Sequence, residues 1–208
     1  MYDAVIWDFG GVLTTSPFEA FARHEREHGL PPGFLRGVNA ANHLENAWAR
    51  LERGEIGQEE FDARFAEESR AMGHEVRGKD LLPLLIGDTW PEMVQALRRV
   101  RERMKTGCIT NNILETADGG ERAIYKPEIM ALFDEVIESA KAGLRKPDPR
   151  IYALMADRLG VPPERCVYLD DLGINLKPAR ALGMHTIKVV DPARALADLE
   201  TAVGFALR

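Results

Sequence analysis

The chain has 208 residues, 45% of them hydrophobic and 29% charged, with 33 acidic against 27 basic side chains and a formal net charge of −6. This length exceeds the commonest single-domain size and falls short of two full domains, which fits one domain with a large insertion, and the apolar fraction supports a real core and excludes disorder. Scattered cations exclude a nucleic-acid groove or a face for acidic lipid, and two cysteines in apolar runs, Cys108 and Cys166, exclude a disulfide framework. Met1 leads almost directly into AVIW, without a basic leader or a bilayer-length run, so a cytoplasmic location with reduced thiols and no membrane partner is expected.

The first strand-like run, DAVIW (3–7), ends at a lone carboxylate, Asp8, and gives way to two glycines, Gly10 and Gly11, in VIWDFGGVLTT. Adjacent glycines permit a tight turn and a close approach of backbone to a ligand, so Asp8 reads either as a turn acid or as a reactive group. Residues 14–90 hold amphipathic helices and no convincing strand. One helix starts at a capping box of Ser16, Pro17 and Glu19 and stops at Gly29; others are predicted over 42–53 and 58–72. We read them as an all-helical insertion after the first strand, with Trp48, Phe61 and Phe65 as packed interior. HEREH (24–28) puts two histidines on one helical face, but Gly29, Pro31 and Pro32 end that helix at once in charged surroundings, and no zinc site is expected.

From residue 91 onward strands and helices alternate. TGCIT (106–110), FDEVIE (133–138), RCVYL (165–169) and HTIKVV (185–190) are apolar or β-branched without clean alternation, as in strands covered on both faces. PEMVQALRRVRERM starts at Pro91, and its basic end complements the helix dipole. DPRIYALMADRLG has Asp148 as N-cap, Pro149 in the first turn and Gly160 as terminator, and DPARALADLETAVG repeats this grammar with Asp191, Pro192 and Gly204. The alternation predicts an α/β fold: a doubly wound, mostly parallel, Rossmann-like sheet formed by residues 1–13 and 91–208.

In such sheets the ligand sits at the carboxyl ends of the strands, so the residues that follow each strand are the candidates. They are Asp8; Thr110, Asn111 and Asn112; Lys141 and Lys146; and the pair Asp170 and Asp171. Three carboxylates at one edge repel each other unless a cation neutralises them, and an oxygen-only set suits Mg2+ with a substrate phosphate. Thr110 and Asn111 offer donors to an anionic oxygen, and a lysine adds a point charge. Pro147 holds Lys146 extended before the capped helix, which makes it the first choice over Lys141; Lys126, before Pro127, belongs away from this edge.

The segments WDFGGVL, CITNN, GLRKPDPRIY and VYLDDLGINLKPARALGM, spread over essentially the whole chain, resemble the haloacid dehalogenase-like hydrolase superfamily. The last of them, with the tail DPARALADLETAVGFAL, is most similar to the phosphatase domain of soluble epoxide hydrolases and related bacterial proteins. The resemblance implies a nucleophile at Asp8 that forms an aspartyl intermediate, Thr110 and Lys146 holding the transferred group, and the helical insertion as a mobile cap. It further implies an Mg2+ site that includes Asp8, with Asp170 bound directly and Asp171 through water, Asn175 in support and the Gly10 carbonyl as a further ligand. The partner it implies is a small phosphate ester or similar anion, with the oligomeric state open.

One element of that pattern is missing. Phosphatases of the superfamily carry a second aspartate, the general acid and base, where this chain has Gly10. Positioned acid–base catalysis contributes about 10²- to 10⁴-fold, so its loss raises the barrier by about 3 to 5 kcal/mol. Three readings follow: slow hydrolysis of esters with good leaving groups, another acid from the insertion, or a phosphate-binding protein without turnover. Metal-free dehalogenase chemistry is a weaker alternative, because the Asp170–Asp171 pair favours a cation.

Overall fold

All four residues of β1 (Ala4–Trp7) are fully buried, because the strand lies at the centre of a parallel sheet with helices on both faces. The computed structural model describes residues 1–113 and 126–208. β2 (Lys105–Thr110), β3 (Glu135–Glu138), β4 (Cys166–Asp170) and β5 (His185–Lys188) complete the order β3-β2-β1-β4-β5, every pairing parallel. The chain moves outward from β1 to β3 and then returns to the opposite side of β1. That reversal opens a crevice at the carboxyl ends of β1 and β4, where Trp7 pairs with Leu169 and the residues after them, Asp8 and Asp170, emerge side by side.

The helices follow in chain order as α1 (Pro17–Glu27), α2 (Phe34–Ala40), α3 (Ala47–Glu52), α4 (Gln58–Ala71) and α5 (Pro91–Arg101). Then come α6 (Pro127–Met130), α7 (Ser139–Ala142), α8 (Pro149–Leu159), α9 (Gly173–Ala181) and α10 (Pro192–Val203). Side-chain alternation along β1 divides the core: Val5 and Trp7 pack under α5 and α10, while Ala4 and Ile6 pack under α8 and α9. A third apolar cluster joins Phe21, Trp48, Phe61 and Phe65 of the segment between β1 and α5 and takes in Ile113 from the loop after β2. This segment leaves and rejoins the sheet at a neck where Thr14 bridges Thr89 and the Trp90 amide donates to the Leu13 carbonyl at 2.9 Å. No described helix is long and apolar enough to cross a membrane.

The sequence signals held best where caps are local. Asp148 accepts from the Arg150 amide and Asp191 from the Arg194 amide, and Gly160 and Gly204 take the left-handed conformation at the far ends of α8 and α10. β5 stops short of the expected 190, since it is an edge strand and the chain leaves the sheet at exposed Val190 to reach the Asp191 cap. Two expectations fail in the insertion. Ser16 makes no side-chain cap on α1; its hydroxyl donates instead to Asp171 at 3.3 Å. The helix expected over 42–53 begins only at Ala47, capped by Asn46, and α2 precedes it without a sequence signal. α2 forms because the buried Glu25 carboxylate of α1 accepts the amides of Gly33 and Leu35 at 2.8 and 2.9 Å. Glu25, the first of the two acids of HEREH, is therefore a helix cap, and His24 and His28 stack on each other at 3.9 Å.

Phe65 is fully buried between Trp48 and Phe61. Phe65→Ala is expected to cost roughly 3 to 5 kcal/mol of unfolding free energy, read from urea denaturation. A loss below roughly 1 kcal/mol would show that the insertion's interior is not rigidly packed.

Candidate active site

Asp8, Asp170 and Asp171 each offer a carboxylate oxygen within 4.8 Å of the others at the carboxyl edge of the sheet. Lys146 reaches into this group from the turn before α8. Its ammonium lies 2.7 Å from Asp8 Oδ1 and 2.9 Å from Asp170 Oδ2, and its side chain is 1% exposed. Lys141 instead pairs with Glu138 at the surface, and Lys126 donates to Thr89 near the neck.

Three carboxylates against one ammonium give the group a formal charge of −2. Burial works against the charge on Lys146, but Asp170 and Asp8 outweigh burial and push its pKa up. Burial raises the Asp8 carboxyl well above the usual range; Lys146 opposes the shift, and Asp170 and Asp171 reinforce it. Asp171 is pushed up to about 6 by burial and then by Asp170. Such a cluster has an unmet demand for positive charge, and its hard oxygen donors suit a divalent cation such as Mg2+.

The two neighbouring acids are held differently. Asp170 is fully buried: Oδ1 accepts the Leu172 amide at 2.8 Å, Oδ2 accepts Lys146 and the Tyr168 hydroxyl, and the Asn175 amide donates to both oxygens at 3.1 Å. Asp171 lines a cavity of about 490 Å³ together with Asp8, Gly10, Thr110, Asn111 and Lys146. Asp171 thus lies at the open side of the cluster and Asp170 at its enclosed side, and both, with Asp8, offer an oxygen to one cation. On Asp8, the Phe9 amide and Lys146 both meet Oδ1, which leaves Oδ2, among the described residues, without a donor.

Asn111 also differs from its expected role as an anion donor. Its Oδ1 accepts the Lys146 amide at 2.8 Å, while Nδ2 donates to the Lys146 carbonyl and to Glu52 Oε2, both at 3.1 Å. Both amide hydrogens are thus engaged by protein. Asn112 and Ser139 fasten the same turn: the Ser139 hydroxyl accepts the Asn112 amide, and the Asn112 side chain reaches Glu138 and Ala140.

The paired glycines separate by function. Gly11 has φ +75°, and a Cβ there would fall 2.3 Å from Asp171 Oδ2, so backbone and neighbour both demand glycine. Gly10 adopts no such conformation, and a Cβ there would meet only Pro17 Cδ, at 3.9 Å. The space for a side chain at position 10 is therefore present.

The insertion supplies the far wall of the cavity with Phe18, Phe21, Trp48, Arg36, His43 and Glu52. Of the aromatic residues expected as interior, Phe61 and Phe65 are fully buried, whereas Trp48 also faces the cavity. Arg145 and Glu52 carried no sequence signal; they pair at 2.6 Å across 93 residues of chain.

A model of the haloacid dehalogenase-like hydrolases matches residues 2–183. Acyl-CoA dehydrogenase family member 10 of Mus musculus is 37% identical over 217 residues, covering 99% of this chain and 20% of its own length. Bifunctional epoxide hydrolase 2 of Sus scrofa is 36% identical over 217 residues, covering 98% of this chain and 39% of its own. The chain thus spans well under half the length of these mammalian relatives. A phosphatase of Mycobacterium tuberculosis is 30% identical over 200 residues, 89% of this chain and 86% of its own. In fold, the chain is similar to a Bacteroides thetaiotaomicron enzyme of this family solved with magnesium and inorganic phosphate. The TM-score is 0.61 at 22% identity, over 90% of this chain and 94% of that one.

A carboxyl whose folded pKa exceeds its unfolded value favours the fold while protonated, and that contribution is lost as pH rises between the two values. For Asp171 the window runs from the ordinary 3.8 to about 6. Without metal, the melting temperature of wild type is expected to fall relative to Asp171→Asn across this window, and Mg2+ should offset the deficit at its upper end. A difference between the two proteins that stays constant with pH would contradict this account.

Proposed function

We propose, from the premise that the chain belongs to the haloacid dehalogenase-like hydrolase family, that it hydrolyses a small phosphate monoester through Asp8 with Mg2+ as cofactor. The observation that carries this reading is the cluster of three carboxylates at the mouth of the sheet, two of them buried and paired with one buried lysine. Asp8, Asp170, Asp171 and the Gly10 carbonyl would hold the ion. When bound, it supplies positive charge against the developing charge on the phosphoryl oxygens.

Asp8 Oδ2 attacks phosphorus while the bond to the leaving oxygen breaks, and the leaving group takes up a proton. Water then cleaves the aspartyl phosphate, releasing inorganic phosphate and restoring the carboxylate. Lys146 and Thr110 hold the transferred group. Asp170, gripped by Asn175, the Leu172 amide and Tyr168, keeps the ammonium beside Asp8. Residues 14–90 act as a cap over the core formed by 1–13 and 91–208. The leaving group lies against Phe18, Phe21 and Trp48, which favours an ester with an apolar portion.

The glycine at position 10 gives a second reading, binding of phosphate compounds without turnover. On p-nitrophenyl phosphate, wild type is expected to release phosphate slowly, only with Mg2+, and Asp8→Asn to release none. Gly10→Asp, for which the cavity has room, should raise kcat roughly tenfold or more. An unchanged kcat would mean that another group already transfers the proton. Thermal stabilisation by phosphate without any turnover would select the binding reading.

A further inference from the structure

Glu52, in the last turn of α3, gathers donors from both parts of the molecule. Its Oε1 accepts the Trp48 indole at 2.9 Å; its Oε2 accepts the Asn111 amide at 3.1 Å and the Arg145 guanidinium at 2.6 Å. Its main-chain carbonyl accepts the Ser139 hydroxyl. The two backbones approach so closely here that a Cβ on Gly54 would lie 2.5 Å from the Ala140 carbonyl oxygen. On the sheet side, Asn111 brackets Lys146 by its amide and its carbonyl, and Arg145 is the residue before it. An ammonium on a flexible four-carbon stem is placed only as well as the main chain that carries it. That main chain is held through Asn111 and Arg145, and both are held by one carboxylate of the insertion.

We infer that Glu52 is a positioning residue for Lys146, one that ties the placement of the anion-facing ammonium to the seating of the insertion on the sheet. The inference rests on the phosphoryl-site reading above. It does not depend on turnover, because a binder needs the same ammonium in the same place.

The test is calorimetric titration of inorganic phosphate in the presence of Mg2+, which reads the site whether or not the protein is a fast enzyme. Glu52→Gln keeps the volume but turns one acceptor into a donor facing Asn111, Arg145 or Trp48. Phe65→Leu serves as a control that loosens the insertion's interior without touching the clamp. Glu52→Gln is expected to raise the phosphate Kd at least about fivefold, the scale of one lost hydrogen bond, and to leave the Mg2+ Kd within about twofold. Phe65→Leu should lower the melting temperature and leave the phosphate Kd unchanged. Arg145→Lys attacks the same contact from the sheet side and carries the same expectation should Glu52→Gln not fold.

Wild-type phosphate affinity in the folded Glu52→Gln variant overturns the inference and leaves the site reading intact. An equal loss in Phe65→Leu reduces Glu52 to a purely structural role and overturns it as well. A wild type that does not bind phosphate overturns the reading of the site, and the inference with it.

Discussion

Lys146 sits out of solvent between Asp8 and Asp170, and the rest of the site is organised around this arrangement. A buried ammonium is tolerated only when its charge is met, and a buried carboxylate only when its oxygens are engaged. Asp170 satisfies that rule with four donor residues, while Asp8 and Asp171 satisfy it in part. The shortfall appears as raised carboxyl pKa values on the two acids that face the cavity. The same arrangement, three carboxylates close together with one ammonium, makes the site receptive to a divalent cation.

The parallel sheet explains why these residues meet at all. Pairing of Trp7 with Leu169 leaves no freedom in where Asp8 and Asp170 emerge, since both are the next residue along adjacent strands. Geometry of that kind is insensitive to the chemistry at position 10. Gly11 is required by its own backbone and by Asp171, but nothing in the packing requires Gly10. An acid could therefore be lost at position 10 without disturbing the fold, the carboxylate cluster or Lys146.

Legibility in the sequence followed the range of the interactions involved. β1, α8 and α10 were readable because buried-strand composition, Asp-Pro starts and glycine stops are local features. The site was readable at the level of residues, since a parallel sheet puts strand ends in one place, but not at the level of roles. That Asp171 faces the cavity while Asp170 is enclosed depends on Tyr168, Asn175 and a helix start, which no spacing reveals. α2 was invisible for a similar reason. FLRGVNA carries a glycine, a valine and an asparagine, all poor helix formers, and its start is capped by Glu25 from another helix. Ser16 shows the converse error, a correct local capping motif overridden by a distant acid.

The segment between β1 and α5 has an apolar interior distinct from the two clusters that cover the sheet, and it meets the core through the neck, the cavity walls, Ile113 and Glu52. Side chains at the cavity wall, such as Phe18 and Arg36, can therefore change without loss to the sheet, while Glu52 and Gly54 cannot change without disturbing the seat of the insertion. Under the proposed function, such a division lets selectivity for the leaving group vary while the residues around the anion stay constant. On the proposed role of Glu52 it also limits the variation, because Asn111 and Arg145, which flank Lys146, are held by the carboxylate of that residue.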